Sequence, residues 1–158
     1  MDFGLKEKIA IIGGSSKGLG KACAMSLSRE GANVVICARN QSELEQTADE
    51  IRDKFKNKVL AIPADLSSYE DIKKLVDETV NEFGRIDILI NNTGGPKPGS
   101  FFDLDDQDWE NAFQKLLMYV VRICRMVIPY MKDQNWGRII NLTSFTVKEP
   151  SDRLVLSN

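Results

Sequence analysis

Histidine is missing altogether from this 158-residue chain. With it go the commonest metal ligand and the commonest general base near neutral pH. Cysteine is scarce: Cys23, Cys37 and Cys124 stand far apart, each within an apolar pattern and none in a Cys-x-x-Cys pair. That distribution suits small buried thiols rather than a metal or redox centre, so no metal site is expected. Neither sign of charge dominates, because 21 Lys and Arg face 23 Asp and Glu for a net charge of -2. A basic footprint for nucleic acid is therefore absent. No apolar stretch approaches the roughly 20 residues that a membrane span needs. The acidic start Met1-Asp2-Phe3-Gly4, followed by Lys6 and Lys8, does not read as a signal peptide. These absences imply a soluble, cytoplasmic protein that engages neither nucleic acid nor membrane. What remains is ordinary for one globular domain, with 42% hydrophobic and 28% charged residues.

Apolar runs alternate with segments of helical period. Ile9 to Ile12, Val34 to Ala38, Val59 to Ile62, Ile86 to Ile90 and Ile139 to Leu142 are short apolar runs, as expected of strands covered on both faces. Between them, Leu19, Ala22, Cys23, Ser26 and Leu27 form one helical stripe that closes at Gly31. Ser42 with Glu45, and Ser67 with Glu70, read as capping boxes opening two further helices. A long helix is expected from about Asp106 to Met131, after a Gly- and Pro-rich loop over 91–100. The pattern predicts an α/β domain of Rossmann type. Its doubly wound parallel sheet should have the order 3-2-1-4-5 between layers of helices.

The chemistry concentrates between the first strand and the first helix, in Gly13-Gly14-Ser15-Ser16-Lys17-Gly18-Leu19-Gly20. Gly14, Gly18 and Gly20 permit a tight turn, close approach to a pyrophosphate and close packing of helix on sheet. Backbone N–H groups and the helix dipole then face the anion, which makes Gly14, Ser16, Lys17, Gly18, Leu19 and Gly20 candidate cofactor contacts. After the second strand an acidic residue would accept from the ribose 2′-OH of NAD. Arg39 stands there instead. Arg39 and Lys17 together suit a 2′-phosphate, so NADP is favoured over NAD. Arg39 also counts against a methyltransferase with a similar glycine-rich loop.

Further motifs lie at the ends of later strands. Asp65-Leu66 follows the third, Asn91-Asn92-Thr93-Gly94 the fourth, and Gly137-Arg138-Ile139-Ile140-Asn141-Leu142-Thr143-Ser144 spans the fifth. With the glycine loop these resemble the short-chain dehydrogenase/reductases over the whole chain, in order and spacing. The resemblance implies an oxidoreductase moving a hydride between NAD(P)(H) and a small-molecule carbonyl or alcohol, of 3-oxoacyl reductase-like or sugar/alcohol dehydrogenase-like type. It further implies that Asp65 and Leu66 lie by the adenine, that Asn92 and Gly94 lie along the cofactor, and that Ser144 polarises the substrate oxygen as the catalytic residue. The long helix would pack in a dimer interface, giving a homodimer or homotetramer.

Two departures bear on the chemistry. The family's catalytic asparagine, seven residues after the tryptophan position, corresponds to Leu116 counted from Trp109. Its catalytic tyrosine, thirteen residues after the serine, corresponds to Ser157. The lysine that would follow lies past Asn158, and the chain reads as the N-terminal portion of a single longer domain. The alternative to an active enzyme is a catalytically impaired dinucleotide-binding scaffold or regulatory protein of the same fold.

Overall fold

A computed structural model describes residues 1–158. Five parallel strands form one sheet: β1 (Ile9–Ile12), β2 (Asn33–Ala38), β3 (Val59–Pro63), β4 (Ile88–Asn91) and β5 (Arg138–Asn141), ordered β3-β2-β1-β4-β5. The expected order is the observed one. In β1, Ile11 pairs with Val35 on one side and Leu89 on the other, so the central strand is hydrogen-bonded along both edges.

Side chains alternate across the sheet and fill two separate cores. Ile9 and Ile11 join Val35, Ile62 and Leu89 beneath α3 (Tyr69–Phe83) and α5 (Tyr119–Asp133). Ala10 and Ile12 join Val34, Ile36 and Ile90 beneath α1 (Gly18–Arg29) and α2 (Gln41–Phe55). This is why the strands read as unbroken apolar runs: both of their faces are covered.

Helix boundaries are set by side-chain caps close to the expected places. Asn40 Oδ1 accepts from Glu43 N and opens α2, two residues before the Ser42–Glu45 box expected from sequence. Ser68 Oγ accepts from Asp71 N and opens α3, one residue after Ser67. Gly84 ends α3 in the left-handed conformation at φ 71°.

The long helix is not continuous α-helix. It divides into α4 (Asp106–Phe113), a π-helical turn over Gln114–Met118, and α5. A π turn admits an extra residue and rotates the side chains that follow it, and such turns occur often at functional sites. Two residues of this one, Gln114 and Lys115, border the same cleft as the loops that follow β1, β2 and β4.

Candidate functional site

The C-terminal ends of the central strands border an open cleft of about 1040 Å³. It lies where the strand order reverses between β1 and β4, the place where an open parallel sheet leaves a crevice between diverging loops. Gly14, Ser16, Lys17 and Leu19 form one wall, Arg39 and Asn40 the end beyond β2, Asp65 and Leu66 the floor beyond β3, and Asn92, Thr93 and Gly94 the opposite side.

The loop after β1 is anchored from below, with Gly13 N donating to Ile90 O and Ser15 N to Cys37 O, both at 3.0 Å, so that only the remaining loop amides can serve a ligand. The buried Ser15 hydroxyl donates to Ile12 O at 2.7 Å and accepts from Cys37 N at 3.0 Å, tying the ends of β1 and β2. Asn92 Nδ2 donates to Gly13 O at 3.0 Å and Gly14 O at 3.3 Å, tying the loop to β4. A Cβ on Gly20 would run into the Gly14 carbonyl oxygen, so that residue must be glycine for α1 to sit this close. Gly18 is different: it has φ +59° and open space where a Cβ would stand.

Helix α1 starts at Gly18 with no side-chain cap and no acidic residue in its first turn. Its first amide donors and the positive end of its dipole therefore remain available to an anion. The glycine cradle, the uncapped helix and the cleft fit a dinucleotide, whose pyrophosphate Gly14, Ser16, Lys17 and Leu19 could hold, while Gly18 and Gly20 shape the loop without lining the cleft.

Charge in the cleft is uneven. Asp65 Oδ1 accepts from Ser67 Oγ at 2.7 Å and Ser67 N at 2.9 Å, and these bonds hold its carboxyl below the usual range. Lys17 Nζ lies 3.5 Å from Glu43 Oε2. Arg39 makes no ion pair and no side-chain hydrogen bond. Lys115, from the π turn, donates to Gly95 O at 2.8 Å and lines the cleft beside Asp65 and Gly94. Burial and the nearby Arg39 charge lower its pKa, with Asp65 pulling the other way.

Lys115, Gln114 and Asn111 are cleft residues that the sequence motifs did not indicate. One signal was available for Lys115. It is the one cation in the otherwise largely apolar run from Phe113 to Val121.

Ser144 stands outside this cleft but on the same edge of the sheet, just past β5, whose neighbour β4 takes Leu142 N onto Asn91 O at 2.9 Å. Thr146 Oγ1 donates to the Ser157 carbonyl at 2.9 Å, and a threonine has one hydroxyl proton to give. Across the 2.7 Å contact with Ser144 Oγ, Ser144 must then be the donor. Ser144 Oγ in turn accepts from Thr146 N at 3.1 Å. Leu116 lies in the π turn and is not among the cleft residues. The structure thus links Ser144 to Ser157 through Thr146, a connection not visible in the sequence. Cys37 is an inert thiol, since burial pushes its pKa up to about 12. Tyr119, four residues after the cleft residue Lys115, is buried, and that burial raises its phenol pKa.

A parallel sheet of this strand order with a glycine-rich turn at its switch point defines a Rossmann-type α/β domain. The short chain dehydrogenase family pattern matches residues 8–156, and the chain belongs to that family. An uncharacterized oxidoreductase of Bacillus subtilis, YvrD, is 37% identical over 155 residues, covering 98% of this chain and 58% of that protein. The L-sorbose reductase of Gluconobacter frateurii, solved in complex with NADPH and L-sorbose, superposes with a TM-score of 0.96 at 32% identity over 99% of this chain and 60% of its own. A short-chain dehydrogenase/reductase of Burkholderia phymatum, solved with NAD, gives a TM-score of 0.92 at 26% identity over 98% of this chain and 55% of its own. The chain therefore spans somewhat more than half the length of these relatives. No helix is long and apolar enough to cross a membrane.

Proposed function

We propose that the protein is an oxidoreductase that takes NADP(H) in preference to NAD(H) and acts on a small-molecule carbonyl or alcohol. The observation that carries the cofactor preference is Arg39, unpaired at the cleft end beyond β2 where an acid would select NAD. Support for the reaction class comes from the family and from the L-sorbose reductase crystallised with NADPH. When bound, the nicotinamide cofactor supplies or takes up the hydride. The chain's own residues bind and orient. The loop over 13–20 offers amide donors to the pyrophosphate, Asp65 offers a free Oδ2 to the adenine side, and Arg39 faces the ribose phosphate.

Ser144 is the residue that addresses the substrate oxygen. With its proton turned to Thr146, it offers an acceptor to a substrate hydroxyl. It offers a donor to a carbonyl only after that proton swings away. A charge-assisted hydrogen bond contributes roughly 1.5–3 kcal/mol, which at about 1.4 kcal/mol per decade gives a roughly ten- to hundredfold preference for NADP(H). Calorimetric titration of the protein and Arg39→Ala with NADP+ and NAD+ tests the reading. Equal affinity of the unmodified protein for the two would overturn it.

A specific observation favours a second reading, a dinucleotide-binding scaffold with impaired chemistry. Leucine 116 offers no polar group, and the hydroxyl of Ser157 is a far weaker acid than a phenol with its reference pKa of about 10. Under this reading NADP+ binds as above while turnover on a carbonyl panel is absent. Turnover that Ser144→Ala abolishes decides for the enzyme.

A further inference from the structure

Three cations border the cleft, Lys17, Arg39 and Lys115, and they are not equivalent. The Lys17 side chain is 79% exposed and its ammonium is answered by Glu43 at 3.5 Å. Screening by water further weakens what it can offer a ligand. Lys115 is held differently. The π turn of Gln114–Met118 brings it over the loop after β4, where its Nζ donates to Gly95 O at 2.8 Å and stands 3.6 Å from where a Cβ on Gly94 would be.

One bond leaves two of its three N–H donors unspent. No carboxylate pairs with it. Asp65, the acid in its vicinity, already accepts two bonds from Ser67. Arg39 likewise lacks any partner. Two cations whose charges repel each other, one of them partly desolvated, thus share the Asp65 end of the cleft, where one carboxylate offsets two positive charges. The positive charge left over favours a dianion over a neutral hydroxyl.

We infer that Lys115, rather than Lys17, is the second cation of the adenosine end of the site, acting with Arg39 on the ribose 2′-phosphate. The inference deepens the NADP(H) reading and rests on it. It makes the π turn a specificity device. An uninterrupted α-helix over the same residues would carry different side chains to the cleft, because the inserted residue changes which ones face it. A short or apolar residue at position 115 would leave Arg39 as the sole cation there.

Calorimetry of the intact protein with NADP+ and with NAD+, at two salt concentrations, tests this on Lys115→Met, Lys115→Arg, Lys17→Met and Arg39→Ala. Lys115→Met is expected to weaken NADP+ by about tenfold and NAD+ by less than about twofold, since one charge-assisted bond to the added phosphate is removed. Its NADP+ affinity should also depend less steeply on salt. Lys115→Arg is expected to keep most of the preference, and Lys17→Met to lose less of it than Lys115→Met does. Circular dichroism confirms that each variant is folded.

If Lys115→Met leaves NADP+ affinity unchanged, or weakens NADP+ and NAD+ equally, the assignment of Lys115 to the 2′-phosphate is wrong. If Arg39→Ala still removes the preference in that case, the NADP(H) reading stands without Lys115. If the unmodified protein shows no preference at all, both readings fall together.

Discussion

Gly18 and Gly20 are two residues apart in one loop and answer to different constraints. Gly20 lacks a side chain because the Gly14 carbonyl occupies the space, with Gly13 O another 2.8 Å away. Gly18 has room for a Cβ and is glycine for its φ of +59°. Gly20→Ala is therefore expected to overpack the loop against α1, at about 1–3 kcal/mol, and to displace the pyrophosphate cradle with it. Gly18→Ala meets only the left-handed backbone penalty of about 1–2 kcal/mol, with the rest of the loop in place. Thermal melts paired with NADP+ titration separate the two, because Gly20→Ala should lose affinity by a larger factor than its fold-stability loss alone would suggest. Equal effects of both substitutions on affinity would mean that the loop yields rather than holding its shape. Both glycines are readable in the sequence, since spacing after a strand determines them. Lys115 and the Ser144–Thr146–Ser157 chain are not readable, because each depends on where distant backbone comes to lie: Gly95 in the first case, the 157 carbonyl in the second.

At the scale of elements, the N-terminal edges of β1 and β4 are joined by a single carboxylate. Asp87 is fully buried and accepts from Ile9 N at 2.9 Å, Arg85 Nε at 2.9 Å and Arg85 Nη2 at 2.6 Å, with Lys8 Nζ 3.7 Å away. The guanidinium side is 44% exposed, so the ion pair by itself contributes modestly. The buried Ile9 amide is the larger matter, because without an acceptor it is left unsatisfied. Asp87→Ala is expected to cost about 2–3 kcal/mol for the orphaned donor and the lost charge-assisted bonds. Chemical denaturation measures this, and a loss below about 0.5 kcal/mol would show that water replaces the carboxylate. Cofactor affinity should hold, because the cleft lies at the opposite end of the strands.

Strand and helix identity followed from the apolar pattern with boundaries shifted by one or two residues, as where Asn40 rather than Ser42 caps α2. The division of the long helix did not follow. Neither Gly nor Pro marks Gln114–Met118, and Pro129, which does carry a breaker's signature, sits inside α5 without ending it. Local propensity is silent about a turn there.

At the scale of the molecule, apolar surface gathers on one side. Phe101, Phe102, Trp109, Phe113 and Leu117 are all exposed, from the 3-10 turn over 101–103 through α4 into the π turn. Phe101 packs edge-on against Phe102 and against Trp109, with ring centroids 5.4 and 6.1 Å apart, so these rings form a patch rather than scattered singles. An aromatic patch with the exposed acids Asp103, Asp106 and Glu110 interleaved in the same segment has the make-up of an association surface. β5 adds a second open region, exposed along all four residues at the end of the sheet, with Ile140 47% exposed.

The two regions make different demands. An uncovered strand edge can be covered by further chain that pairs with it, and its exposure does not imply a second copy. The aromatic patch lies on a helix layer whose inner face is already packed, with Ala112 and Tyr119 buried there, so its outward face is not used by the core that these residues build. A homodimer or homotetramer closed through α4 and the π turn is the expected state. Light scattering on the intact protein at micromolar concentration should give at least twice the monomer mass, and Phe102→Asp combined with Phe113→Asp should return it to the monomer mass with its melting curve otherwise retained. A monomer from the unmodified protein, or an assembly that this double substitution leaves intact, would place the association surface elsewhere.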